Sequence, residues 1–161
     1  MTPRRRLLLD GSRKHYIFAE GSGEIINAGD YVFDNTNIGD FIGIDAVRVG
    51  IYGDVTDKVQ GYGYFKIRAD FSGFNKLCIE VENTRNNTEG AVGYGATYSG
   101  NKMSPRLPSV SQSIGRSAPR EIKQFDISKV NESQYIVGVL TYVSSLSAIR
   151  NVLKIYNIWL E

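Results

Sequence analysis

The sequence predicts an all-β fold, an antiparallel β-sandwich of the jelly-roll type, and three observations carry the prediction. The first is period-two alternation. Phe65, Ile67, Ala69 and Phe71 alternate with Lys66, Arg68 and Asp70, and after Ser72-Gly73 the pattern resumes with Leu77, Ile79 and Val81 against Lys76, Cys78, Glu80 and Glu82. Such strands have one apolar and one polar face, as in a sheet covered on one side by a second layer. The second is composition: 17 Gly, 10 Tyr and 7 Phe sit in short apolar runs parted by turns, where Gly supplies turn geometry and aromatics suit a half-buried pleated surface. The third is that no segment holds a 3.6-residue period and no internal repeat stands out.

The elements follow in order. His15–Ala19 is a first strand, with short strands at 24–27 and 31–33. Val47, Val49 and Ile51 alternate with Arg48 and Gly50 in another. The residues from 55 to 63 read as a loop into the central pair, and 83–90 (NTRNNTEG) as a turn. Val92, Tyr94, Ala96 and Tyr98 then share a face opposite Gly93 and Gly95. Paired glycines leave room for a neighbouring backbone, for a ligand, or for a bulky residue across the sandwich. Residues 122–128 and 135–143 (YIVGVLTYV) are strands, the latter apolar on both faces. The terminal LKIYNIWLE (153–161) is equally apolar and is expected inside a sheet, beside an early strand. About ten strands of this kind suggest two antiparallel sheets.

At 161 residues and 42% apolar content, the chain has one domain's worth of core. It is read as a basic arm, residues 1–14, followed by a single sandwich, 15–161, with a long loop at 99–121. The single Cys78 excludes an internal disulfide framework or a cysteine metal cluster. The net charge of +2 conceals an arm of +4, from Arg4, Arg5, Arg6, Arg13 and Lys14 against Asp10. Basicity confined to an arm is not the broad positive face of a nucleic-acid binder, and no nucleic-acid partner is expected. Leu7-Leu8-Leu9 is too short an apolar run for a signal peptide, and nothing approaches a bilayer-spanning length, so neither export nor a membrane partner is expected.

The region Ser99–Glu121 stands apart, with three of the four prolines, six serines, and Lys102, Arg106, Arg116 and Arg120 against Glu121. Unstructured length of this kind inside a compact domain marks a functional loop or a disordered one, and the readings rank as contact with a subunit or partner, then simple disorder, then the holding of an anionic polymer.

The sequence is poor in chemistry. His15 has no nucleophile at informative spacing. Glu80 and Glu82 lie on one strand face, whereas glycosidase carboxylates come from facing strands around a groove. Asp34–Asp40 (DNTNIGD) is rich in oxygen ligands, but Ile38 occupies a position that should ligate, so the segment reads as an Asx-turn loop with no metal. No phosphate loop, no metal-spaced His/Cys set and no GxSxG occurs. No catalytic residue and no cofactor are expected. Tyr62, Tyr64, Tyr94 and Tyr98 are candidate sugar-stacking platforms, against the alternative of ordinary sheet packing.

The motifs DFSGFNKL (70–77), FDIS (125–128), YIVGV (135–139) and LKIYNIWLE (153–161) together give the chain a family likeness. It resembles the short jelly-roll domains, similar to carbohydrate-binding modules, at the ends of tail-module and other virion proteins of phages and prophages of Gram-positive bacteria. The resemblance implies a fold and a context, a virion assembled in the bacterial cytoplasm, and transfers no catalytic residue. The Arg-rich arm and the basic loop depart from the pattern and read as attachment devices. The expectation is therefore a non-enzymatic, tail-associated virion component that self-associates as a homo-oligomer. It would contact other virion proteins through Arg4, Arg5, Arg6, Lys102, Arg106, Arg116 and Arg120. Two alternatives stand beside it: a carbohydrate-binding module adhering to cell-surface polysaccharide, and a glycan hydrolase.

Overall fold

The computed structural model describes residues 14–19, 31–34, 47–49, 52–53, 59–83, 88–100, 106–144 and 153–161. Within them run eleven strands: β1 (His15–Phe18), β2 (Tyr31–Asp34), β3 (Val47–Val49), β4 (Tyr52–Gly53), β5 (Val59–Asp70), β6 (Lys76–Asn83), β7 (Thr88–Gly95), β8 (Val110–Ile114), β9 (Glu121–Asp126), β10 (Ser133–Ser144) and β11 (Leu153–Leu160). They form two antiparallel sheets. The first has the order β1-β11-β6-β9, with β3 also on β11. The second has the order β2-β5-β10-β7-β8, with β4 on β5. The fold is the all-β sandwich of jelly-roll type that the alternation predicts, and no helix occurs among the described residues.

One core cluster joins the inner faces. Ile17, Phe18, Leu77, Ile79, Val81, Ile155, Ile158 and Leu160 of the first sheet meet Phe65, Ile67, Val92, Tyr94, Ile114 and Ile136 of the second. The terminal strand lies beside β1 and β6, inside its sheet as expected, and a register shift between Ile155 and Asn157 leaves Tyr156 as an extra residue in it. At the centre of the second sheet Gly138 stands opposite Phe65, and a Cβ there would overlap the Phe65 ring. The aromatic fills the space that the glycine leaves.

The central pair does not form a hairpin. β5 belongs to the second sheet and β6 to the first, so the turn between them crosses the sandwich. Asp70 Oδ1 accepts a 2.9 Å bond from the Ser72 amide, the Phe74 amide donates to the Phe71 carbonyl at 3.1 Å, and Gly73 takes φ 79°. The passage from β9 to β10 uses the same devices. Asp126 Oδ1 accepts from the Ser128 amide (2.9 Å) and hydroxyl (2.7 Å), and the Val130 amide donates to the Ile127 carbonyl (2.9 Å). Each crossover is bonded to the other, Phe71 N–H to the Glu132 carbonyl at 3.2 Å and Ile127 N–H to the Asn75 carbonyl at 2.9 Å.

Three expectations are corrected. Residues 99–121 are not a loop throughout, because Val110–Ile114 forms β8, paired with β7 from Gly90 to Tyr94. β5 begins at Val59, inside the expected loop, since it pairs with β10 along twelve residues. β7 likewise starts at Thr88, where a turn was expected. The expected strand at 24–27, most of the oxygen-rich 34–40 segment and the arm 1–13 lie outside the described residues.

Candidate functional site

The site is built on the outer face of the second sheet. Along β10, Ile136 joins the core and Gly138 faces Phe65, so the alternation sends Tyr135, Val137 and Val139 to the other side. Val137 and Val139 are buried there, and half-buried Tyr98 and Tyr135 pack against them. This apolar seam lies on the outside of the sandwich, as Cys78, Tyr156 and Trp159 do on the first sheet.

Register fixes what flanks the Tyr135 ring. On one side its cross-strand neighbour is Arg68 of β5; Lys66, two residues away, has the same parity and stands opposite Val137. Lys66 Nζ lies 5.3 Å and the Arg68 guanidinium 5.9 Å from the ring centroid, within cation–π range. On the other side the neighbour is Gly95 of β7, which presents no side chain. Beyond Gly95 the chain turns back over the sheet edge. A Cβ on Gly93 would overlap the Val110 carbonyl oxygen, and one on Gly95 would come within 3.1 Å of Ser109 Oγ. Of the three uses open to these glycines, the close approach of a neighbouring backbone is the one realised.

Tyr98 ties the returning chain down. Its hydroxyl donates to the Arg106 carbonyl at 2.7 Å and accepts from the Arg106 amide at 2.9 Å. Burial pushes the phenol pKa up, in spite of the lowering effect of Arg106, so Tyr98 remains a protonated donor at neutral pH. Between residues 97–99 and 106–109 lies an open recess of about 390 Å³, within the range of small-ligand sites. The exposed Arg106 is on its wall.

The four tyrosines anticipated from sequence are not equivalent. Tyr98 lines this recess. Tyr94 is a core residue, corrected from platform to packing: it is 8% exposed, meets Phe71 at 5.4 Å and Phe125 edge-on at 5.8 Å, and its hydroxyl donates to the Asp126 carbonyl at 3.4 Å. Its inward parity on β7, beside Val92, is what takes it out of reach of a ligand. Tyr62 and Tyr64 hold register positions on β5 opposite Thr141 and Val139, and their side chains lie outside what the structure describes. Tyr135 was missed because YIVGV reads as buried on both faces. Its signal was its parity with Val137 and Val139, opposite to the core-facing Ile136.

The basic residues also divide. Arg116 pairs with Glu89 at 2.9 Å. Arg120 Nε donates to Glu80 Oε1 at 2.7 Å, and its guanidinium stacks 3.8 Å over the Tyr156 ring on the outside of the first sheet. Both are engaged within the chain. Arg4, Arg5, Arg6 and Lys102 lie outside the described residues.

The carboxylates considered for glycosidic chemistry are similarly employed. Burial raises the Glu80 pKa, but hydrogen bonds from Arg120 and from Asn157 (2.6 Å to Oε2), with the charges of Arg120 and Lys14, outweigh it and hold the carboxyl below its ordinary value. A proton donor to a leaving group needs the opposite shift. The His15 ring packs beside Phe74 at 5.2 Å. Among the described residues no three His, Cys, Asp or Glu side chains group as metal ligands, and no helix is long and apolar enough to cross a membrane.

No protein-family model and no curated protein match the sequence. Several solved structures are similar over most of this chain. The carbohydrate-binding module TmCBM61, solved with β-1,4-galactotriose, is similar at 12% identity over 82% of this chain and 80% of its own, TM-score 0.44. A family 11 carbohydrate-binding module from Clostridium thermocellum, solved with a β-1,3-1,4-mixed-linked tetrasaccharide, is similar at 10% identity over 91% and 95%, TM-score 0.43. The enzymatically active domain of bacteriophage CBA120 tailspike protein 4 is similar at 15% identity over 91% of this chain but 21% of that one, TM-score 0.41. At such identities and scores these likenesses bring no ligand and no residue role to this chain.

Proposed function

We propose that the chain is a non-catalytic glycan-binding module that holds its ligand on the outer face of the second sheet. One observation carries the reading: the half-buried Tyr135 ring on that face, bounded by cations on one side and by side-chain-free Gly95 and the Tyr98 recess on the other. A pyranose presents C–H groups that stack on an aromatic face and hydroxyls that need polar neighbours at its edge. Arg68, Lys66, Ser109 and Arg106 supply that edge. The seam of Val137 and Val139 packs against Tyr135.

The test is retention of the protein on purified bacterial cell walls and insoluble polysaccharides. Tyr135→Ala is expected to weaken retention about tenfold or more, the loss of roughly 1.4 kcal/mol of stacking, with an unchanged circular-dichroism spectrum. Native protein retained by no glycan matrix overturns the reading.

A second reading is favoured by the quoted motifs: a tail-associated virion component, homo-oligomeric, that presents such a module. Its arm, Lys102 and Arg106 are the attachment residues left to it, since Arg116 and Arg120 serve intrachain pairs. Deleting residues 2–14 and measuring incorporation into particles tests it, and unchanged incorporation contradicts attachment through the arm.

A further inference from the structure

We infer that the glycan is acidic, a polysaccharide bearing uronic-acid carboxylates, and that Lys66, Arg68 and Arg106 are its charge readers. The inference rests on the glycan-binding reading and adds the substrate class to it.

Two cations, Lys66 and Arg68, stand over the Tyr135 ring, and a third, the exposed Arg106, lies on the wall of the Tyr98 recess. Lys66 and Arg68 project from alternate positions of β5 and contact only the Tyr135 ring among the described residues; no described carboxylate lies within ion-pair distance of either. Arg106 is hydrogen-bonded to Tyr98 through its backbone, and its exposed guanidinium has no acidic partner among the described residues. Three other basic residues contrast with them: Arg116 and Arg120 are matched by Glu89 and Glu80, and Lys123 by Glu121 at 2.9 Å. Of the acidic groups on the same side of the second sheet, Asp70 shares the parity of Arg68 but is turned to the Ser72 amide at the crossover. Glu89 is held by Arg116, and Asp34 of β2 stands in register with Tyr64. Among the described residues the charge near Tyr135 is thus positive.

A neutral sugar has no use for such an array, whereas a carboxylate meets the Arg fork with two parallel hydrogen bonds. Uronic acids suit the layout in a further way. Their carboxylate is attached directly to the pyranose ring, so a ring stacked against Tyr135 holds its charge close to the two cations that stand over the Tyr135 ring. A phosphodiester between flexible polyol units gives the ring nothing to stack.

The experiment is titration of the full chain, by calorimetry or affinity electrophoresis, with a panel of uronate polymers (polygalacturonate, alginate, hyaluronan, glucuronoxylan). Methyl-esterified polygalacturonate, a neutral galactan and poly(glycerol phosphate) are the comparison arms. The inference expects at least one uronate polymer to bind about tenfold or more tighter than any neutral arm, with binding falling steeply as salt rises from about 50 to about 500 mM. The double variant Lys66→Gln/Arg68→Gln is expected to lose that preference while retaining residual neutral binding, and Arg106→Gln to lose part of it. Equal, Tyr135-dependent binding of acid and esterified polymers overturns the acidic assignment and leaves the glycan reading standing. Preference for poly(glycerol phosphate) overturns it in favour of a phosphate ligand. Binding of no polymer overturns both.

Discussion

Glu80 shows how much of this protein's charge is structural. It is bonded by Arg120 and Asn157, and its pKa is depressed. A depressed carboxylate stabilises the fold fully above its unfolded value, 4.5, and loses that contribution as pH falls through the lower folded value. Glu80→Gln should therefore cost about 1 kcal/mol at neutral pH, modest because solvent screens the pair. The cost should shrink toward zero in strong acid, as measured by urea unfolding across pH. Cys78 is the other residue with a legible consequence. Burial, and then the Glu161 charge, push its thiol up to about 11 against the opposing Lys76 and Lys14, and its side chain is 0% exposed. A thiol reagent at pH 8 should leave the native protein unlabelled and modify one thiol in denaturant. Gly138 is a packing position: Gly138→Ala should cost about 1–3 kcal/mol by overpacking against Phe65. Phe65→Ala should cost about 3–5 kcal/mol by leaving a cavity. Thermal unfolding checks both.

At the scale of elements, the paired crossovers account for what was and was not legible. Asp70-Phe71-Ser72-Gly73-Phe74 and Asp126-Ile127-Ser128-Lys129-Val130 are the same device, an Asp accepting from the amide two residues on, a buried apolar residue next to it, and a tight turn closed by a second apolar residue. Both stretches were conspicuous in the sequence. That they carry the chain between sheets and bond to each other was not, because alternation records faces and contains no information on which strands pair. Asp70→Ala and Asp126→Ala should each lower the melting temperature, and the double variant should lose less than the two losses added together if the cross-bonds couple them, which a double-mutant cycle measures. β8 escaped for a different reason. It is edge-paired to β7 alone, with the burial pattern exposed, exposed, half-buried, exposed, buried. VSQSI therefore has too few apolar residues to announce a strand, and its order comes from backbone bonds to β7 and the room that Gly93 provides.

For the molecule as a whole, fold class, layer count and the interior place of the terminal strand were written in the apolar pattern, because burying one face per strand is what makes the sandwich stable. The site was not, because residues on an outer face are selected by what they meet there. Tyr94 and Tyr98, four residues apart and alike in sequence, end in the core and on the recess; Tyr135, hidden in the most apolar strand, reaches the outer face, where it is the proposed platform. The same division separates the arginines that complete the fold, Arg116 and Arg120, from Lys66, Arg68 and Arg106, which face outward with no acidic partner among the described residues.

The most direct test of the account is a binding isotherm of the wild-type chain and of Tyr135→Ala against the same polysaccharide panel, with thermal unfolding recorded for both. The account predicts saturable wild-type binding, weakened about tenfold or more by Tyr135→Ala at matched melting temperature. Binding that survives Tyr135→Ala undiminished, or no binding by the wild type to any glycan, would contradict it.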